Sequence, residues 1–414
     1  MVTTISTMST TITYNPFVVI WTNIMSIICD IHQFIADIRR MMRRVNKAYT
    51  QLVPAPIPDS AHATKRGLDS RCLVTATVNA SNKAPSPERP LGLDLDVSIL
   101  RKFLVDMGFD TSQPRIPQNA MLEAAAIAAF EAEGLTPEFF EPLKRMVPML
   151  AAAIDMPFNN HPFDVKLYIT VHSTLLLYID DCAQNFPVQT VPELSTFVTS
   201  LGGDRAKAKF KNPNIAHFFR LISEDTPRYF GPIATAAIVK ASLDFLLACL
   251  IESKFPRGLA CVPDTASRFP HYLRLKSGSS EAYAYFLFPE ALFPEKDCLE
   301  TYLPTVPDVT EITDMVNDIL SFYKESVVGR EENNFFMNSA RIHNISPVEL
   351  LQETAAKQKK LAADISATLS KRPDLKKTFE TYLKGYIMWH CCQKRYRLSE
   401  LGIELGAPAP IRRE

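Results

Sequence analysis

The chain has 414 residues, 47% of them apolar and 22% charged, which is enough for one large or two ordinary folded units with a sizeable core. Lys+Arg and Asp+Glu each number 45, so the net charge is zero, and the balance argues against nucleic acid as a partner, which normally needs a basic surplus. The eight cysteines include no CxxC pair and no Cys/His cluster at zinc spacing, so they read as reduced thiols of a cytoplasmic protein.

The first 29 residues carry no charge. Phe17 to Cys29 is mostly apolar but shorter than the ~20 residues of a membrane span. Arg39, Arg40, Arg43 and Arg44 follow it, the reverse of the order in a secretory signal. Two readings stay open for residues 17–44: weak membrane-surface association, or a leader that packs on nothing. From Leu52 to Pro117 proline recurs among Ser, Ala and Lys, as in a linker. The expected division is an N-terminal extension at 1–95, a folded domain at 96–405 and a tail at 406–414.

Beyond Pro117 the apolar residues recur three and four apart, so the expected fold class is all-α. Helices are expected at Met121–Glu133, Phe139–Met156, Asp164–Gln184, Ala234–Lys254, Val309–Val327 and Pro347–Ser370. A last long one is expected from Asp374 to Leu405. No GxGxxG follows a strand and no GxxxxGK[ST] occurs, so nucleotide-binding folds are unsupported.

Three stretches carry chemistry. Asn317, Ser321 and Glu325 are four residues apart, so one helix would place them near one face. They offer an amide oxygen, a hydroxyl and a carboxylate, donors suited to Mg²⁺. A solvated polar stripe would look the same. The apolar run Ser173 to Ile179 ends in Asp180-Asp181, two acids that repel each other unless a cation lies between them. A helix emerging into water would also end that way. Arg395 in Lys394–Arg397 could grip phosphate, and Tyr386, Trp389, Gln393 and Tyr396 fall on one face of a continuous helix. Two oxygen-rich clusters, a basic clamp and an aromatic wall suit a diphosphate head on a hydrocarbon tail.

These residues give the chain a family resemblance. Asn317-Asp318-x-x-Ser321-x-x-x-Glu325 and Arg395-Tyr396-Arg397-Leu398-Ser399-Glu400 resemble the second metal motif and the diphosphate-binding Arg-Tyr segment of the trichodiene synthase family of fungal class I sesquiterpene cyclases. Arg274, before the helix break at Ser277-Gly278, resembles that family's diphosphate-sensing arginine. Over roughly residues 120–403 the resemblance implies a single class I terpene synthase helical bundle around a central active-site cavity. It implies cyclisation of farnesyl diphosphate to a cyclic hydrocarbon or alcohol of trichodiene or longiborneol type, with three Mg²⁺ ions and a homodimer. Asp180 would be the principal ligand of two ions, with Asp181 near the diphosphate. Asn317, Ser321 and Glu325 would hold the third. Arg274, Lys324, Arg395 and Tyr396 would donate to the diphosphate, while Phe245, Tyr386 and Trp389 would line the cavity.

The chain departs from the pattern where Cys182-Ala183-Gln184-Asn185 replaces the later acid of the first motif, and where His172 stands in place of an aromatic wall residue. A chain-elongating prenyltransferase would carry two Asp-rich motifs. A non-catalytic helical scaffold would have no need of the basic residues.

Overall fold

A computed structural model describes residues 93–406 except 115–118, 202, 204–207 and 256–261. The expected membrane-surface segment, most of the linker and nearly all of the tail lie outside the described residues. The described residues belong to one compact unit, Cys72–Glu414.

Among the described residues the chain forms fourteen α-helices and no named strand. They are α1 Val97–Asp106, α2 Ala120–Glu131, α3 Pro137–Asp155, α4 Phe163–Asn185, α5 Pro187–Leu201, α6 Pro213–Arg220 and α7 Pro232–Glu252. The second half has α8 Phe269–Ser277, α9 Ser280–Phe286, α10 Glu295–Tyr302, α11 Val306–Phe322, α12 Phe335–His343, α13 Pro347–Thr368 and α14 Pro373–Cys392. Proline supplies the first residue of many of them, where its missing N–H costs nothing. Elsewhere a side chain caps the exposed amides: Asp96 accepts from Ser98 N at 2.9 Å, Asn119 from Leu122 N at 3.1 Å and Asn334 from Met337 N at 3.0 Å.

The core lies between α4, α7, α9, α11 and α14. Helix α4 is buried on nearly every side from Val165 to Ile179, against α3, α6 and α7. Helix α11 packs on α9, α13 and α14. Helix α7 is long and apolar enough to cross a membrane, with a mean hydropathy of 1.9, but it packs against α4, α8 and α9 inside the bundle. Aromatic rings fill the centre, including Phe158, Phe286, Phe322 and Tyr382, none more than 1% exposed. Burying rings of this size is worth roughly 2–3 kcal/mol each.

Two expectations about helix ends need correction, while that of α4 holds. Helix α4 ends at Asn185, one residue from the expected end at Gln184, with Asp180-Asp181 in its last two turns. The helix that starts at Val306 stops at Phe322, and Tyr323–Val328 forms a wider π turn, closed by Gly329 N donating to Lys324 O at 2.9 Å. The inserted residue lets Ser326 and Val327 both reach the interior, and periodicity cannot show a one-residue insertion. The last long helix stops at Cys392: Gln393 is extended, Lys394–Tyr396 is a 3₁₀ turn and Arg397 has φ 59°. No Gly or Pro marks that break. It comes from packing, because Tyr396 folds back on His390 and Trp389 at ring distances of 4.5 and 5.4 Å, and from Arg397 clamping Glu400 at 2.6 and 2.9 Å.

Candidate active site

The site is built around Arg274, on the last turn of α8. Its Nε donates to both carboxylate oxygens of Asp318 at 2.9 and 2.8 Å, and its Nη1 pairs with Asp314 Oδ1 at 2.8 Å. Nη2 reaches Asp314 O and Asn317 Oδ1, each at 3.3 Å. Ser280 Oγ donates to Asp314 Oδ1. Burial pushes the Asp314 carboxyl up to about 7, with Arg274 pulling the other way. Burial also works against the charge on Arg274, and Asp314 and Asp318 outweigh it, so its proton is held more tightly than in a free arginine. The expected break after α8 is present: Ser279 has φ 52° and starts α9. Gly278 is required there, because a Cβ would fall 2.0 Å from Asp314 Oδ1 and 2.3 Å from Arg274 Nη1.

Asn317 is held by a network that sequence reasoning missed. His390 Nδ1 bonds the Tyr386 carbonyl at 2.8 Å, a contact only an N–H can make, so Nε2 carries a free lone pair. Asn317 Nδ2 donates to that Nε2 at 3.1 Å and to Tyr396 OH at 3.3 Å. The amide is thereby oriented, with Oδ1 turned towards Arg274. Burial pushes His390 down to about 3, so the acceptor survives at any working pH. His390→Leu is expected to raise the Mg²⁺ concentration needed for half-maximal diphosphate release by about 10–100-fold, the usual effect of losing such a support. An unchanged Mg²⁺ requirement in that variant would remove His390 from the account.

Ser321 is 1% exposed and Glu325 sits on the π turn, so the triplet does not lie on one straight α-helix. Lys324 Nζ pairs with Glu325 Oε1 at 2.9 Å and lies 5.4 Å from the centre of the Tyr396 ring. Arg395 lies 5.6 Å from the same ring, and its Nη1 is 3.1 Å from Met149 Sδ. Two cations therefore flank one buried phenol.

Across from this cluster, Asp180 Oδ2 accepts from Gln184 Nε2 at 2.9 Å, and Cys249 Sγ is 3.8 Å from Oδ1. Burial raises the Asp180 carboxyl, and the charge of Asp181 adds to the rise. Burial also raises Asp181, with Arg395 opposing, which places the second acid towards the Arg-Tyr segment. Glu252, on the last turn of α7, is pushed up to about 7 by burial and then by Asp180, with Arg274 opposing. It lines a cavity of about 160 Å³ with Arg274, Ser277, Asp318, Asn334 and Asn338.

Tyr386 stacks on Tyr382 at 5.7 Å and on Trp389 at 6.2 Å, with ring planes within 10°. Phe245 is half-buried on α7 and packs against the same core to which Tyr382, Tyr386 and Trp389 belong. His172 is fully buried among Tyr168, Phe218 and Phe286, with Nε2 3.0 Å from Ser242 Oγ.

The structure thus brings Asn317, Ser321, Lys324, Glu325, Arg274 and Tyr396 together, with Arg395 beside them and Asp180 and Asp181 on a facing helix. Asp314 and Asp318 recur at i and i+4 on α11, a signal that was available. Glu252 and His390 gave none, because their roles come from contacts between distant helices. Among the described residues no three His, Cys, Asp or Glu side chains form a metal cluster. The donors here are mixed instead: crowded buried carboxylates on one side and an amide, hydroxyl and carboxylate on the other. That set fits a hard divalent cation.

The described residues thus form a helical bundle that buries a guanidinium among oxygen donors beside an aromatic stack. The trichodiene synthase (TRI5) family model matches residues 144–405. An (E)-beta farnesene synthase of Metarhizium brunneum is 30% identical over 312 residues, 74% of this chain and 89% of that protein. Terpene synthase BipA of Cochliobolus sativus is 27% identical over 73% of this chain and 89% of its own length. Trichodiene synthase of Fusarium pseudograminearum is 28% identical over 56% of this chain and 59% of its own. The chain belongs to the trichodiene synthase family, and it is a terpene synthase, a lyase acting on a diphosphate ester.

Proposed function

We propose that the protein ionises farnesyl diphosphate with the help of Mg²⁺ and cyclises the resulting allylic cation, releasing diphosphate. The observation that carries this reading is the buried Arg274–Asn317 contact, with Lys324, Glu325 and Tyr396 around it and the Tyr386–Trp389 rings beside it. Asp180 would hold two ions and Asn317, Ser321 and Glu325 a third. Mg²⁺ held by these residues would supply the charge neutralisation that lets the diphosphate leave.

The chain's own residues do the rest. Arg274 and Lys324 donate hydrogen bonds to the diphosphate, with Arg395 and Tyr396 closing on it from the segment after α14. The Asp314–Asp318 pair holds the Arg274 side chain in place, so little reorganisation is needed when charge develops. Tyr386 and Trp389 present ring faces to the cation and exclude water from most of the wall. Released diphosphate can take the proton lost in a final elimination. As the family resemblance implies, the protein works as a homodimer, which sedimentation would measure.

The test is purified protein with Mg²⁺ and farnesyl diphosphate, followed by mass spectrometry of the volatiles. A cyclic sesquiterpene product and its loss on adding EDTA are expected. A longer prenyl chain when isopentenyl diphosphate is added would favour chain elongation. Absence of any metal-dependent binding of diphosphate would favour a scaffold.

A further inference from the structure

Among the described residues no α-helix follows α14, and Arg395 and Tyr396 sit on a 3₁₀ turn of three residues. A turn that short has little stability of its own, so these two side chains are only as well placed as the contacts that hold the segment. Tyr396 is fixed from inside, by its ring packing on His390 and Trp389. Arg395 rests on softer contacts, the Met149 sulfur at 3.1 Å and the Tyr396 ring at 5.6 Å.

Two residues outside the site hold the segment. The first is Glu400, on the next 3₁₀ turn, Leu398–Leu401. Its carboxylate accepts from Arg397 Nε and Nη2 at 2.6 and 2.9 Å and from Tyr323 OH at 3.1 Å. Tyr323 opens the π turn that carries Lys324 and Glu325. One carboxylate therefore ties the Arg-Tyr segment to the turn of the second metal motif. The Arg397 and Glu400 side chains are 36% and 43% exposed, and a pair so open to water adds little to stability. What it fixes is direction. Arg397 is in the left-handed region at φ 59°, where residues with a Cβ seldom sit, and the two-pronged grip of Glu400 holds it there.

The second is Arg101, on α1. Its Nη2 donates to Leu401 O at 2.9 Å and to Gly402 O at 3.3 Å, the carbonyls that end the same turn. Gly402 has φ 66°, and a Cβ there would lie 2.9 Å from that nitrogen. A little further on, Gly406 N donates to Thr111 O and Gln113 O at 3.2 and 3.1 Å. Helix α1 is a firm post for these contacts. Its Leu100, Phe103 and Leu104 are buried in the core, and Asp106 pairs with Lys359 of α13 at 2.9 Å. Yet α1 and Thr111 lie before residue 144, where the family match begins. The element that braces the Arg-Tyr segment thus comes from outside the stretch that the family model covers.

We propose that Arg101 and Glu400 are positioning residues for diphosphate binding and act through Arg395. They hold the segment from two sides, so Arg395 faces the site already aimed and little freedom is lost when the ligand arrives. This rests on the diphosphate reading of Arg395 given above.

The test is calorimetric binding of inorganic diphosphate to the full-length protein in excess Mg²⁺. Glu400→Gln and Arg101→Met should each weaken binding about fivefold, the loss of one charge-assisted hydrogen bond at an exposed site. Each substitution is then repeated in an Arg395→Met background. Acting through Arg395, it should weaken binding there by less than about twofold further, since the losses of coupled groups do not add. A general structural role predicts the same loss in both backgrounds, and that result would overturn the proposal. Unchanged affinity in both single variants would overturn it too. Tyr323→Phe removes only the phenol oxygen from Glu400 and should give a smaller loss that also vanishes in the Arg395→Met background. The comparison therefore survives if Glu400→Gln does not fold. No Mg²⁺-dependent binding by the unaltered protein would instead sink the diphosphate reading itself.

Discussion

Asp180→Ala and Asn317→Ala should each lower Mg²⁺-dependent diphosphate release by about a hundredfold or more, since metal-assisted charge neutralisation is worth several kcal/mol and each factor of ten about 1.4 kcal/mol. The two losses have different origins. Asp180 is a carboxylate raised by burial and by Asp181, and it meets the Gln184 side-chain amide and the Cys249 thiol. Removing it takes away a full negative charge where divalent ions are expected. Asn317 contributes a neutral oxygen, but its amide also ties α11 to His390 and Tyr396. Asn317→Ala therefore also frees the Arg-Tyr segment. Asn317→Asp provides a comparison: it keeps an oxygen donor and loses the donation to His390 Nε2, so its activity should fall between those of Asn317→Ala and the unaltered protein. Diphosphate release is measured with a coupled phosphate assay at saturating substrate. Wild-type rates in both alanine variants would end the metal assignment at both motifs.

Arg274→Leu should cost stability as well as activity. Arg274, Asp314 and Asp318 are 14%, 1% and 12% exposed, so removing the guanidinium strands two buried carboxylates. Breaking a buried pair in this way costs roughly 3–5 kcal/mol, more than the pair itself contributes, because the uncompensated charge remains. Protonation of Asp314, already raised to about 7 by burial, would absorb part of the penalty. The triple variant Arg274→Leu, Asp314→Asn, Asp318→Asn separates the two effects. Its urea midpoint should recover towards the wild-type value, while diphosphate release stays low. Recovery of both would reduce Arg274 to a structural residue. A midpoint for Arg274→Leu equal to that of the unaltered protein would contradict the burial argument.

Much of this was legible in the sequence because it is local. The three-four spacing of apolar residues marks helices without reference to anything distant, whereas α1, Val97–Asp106, formed inside the stretch expected as linker. The bounds of α3, α4, α7 and α13 fall within two residues of expectation. Asn317, Ser321 and Glu325 and the Lys394–Arg397 segment stood out in the sequence because their residue types are uncommon together. What could not be read are consequences of packing between elements far apart. Glu252 matters because α7 ends beside Asp180 and Arg274. His390 matters because its Nδ1 is spent on the Tyr386 carbonyl, leaving Nε2 for a residue 73 positions earlier. Tyr396 leaves the helical pattern because its ring gains more against His390 and Trp389 than a further helical turn would give.

The π turn at Tyr323–Val328 also limits how far the motif can be moved. On a straight α-helix, eight residues from Asn317 to Glu325 accumulate about 80° of rotation, enough to turn the carboxylate away from the amide. The inserted residue changes that angle while Lys324 and Glu325 stay next to Tyr396 and Asp318. Copying the three ligands at their spacing onto an idealised designed helix would therefore reproduce the letters of the motif and miss its aim. A transplant would have to carry the widened turn and the buried Ser326 and Val327 that occupy it. Deletion of a single residue between Phe322 and Gly329 should be far more damaging than most point substitutions in the same stretch.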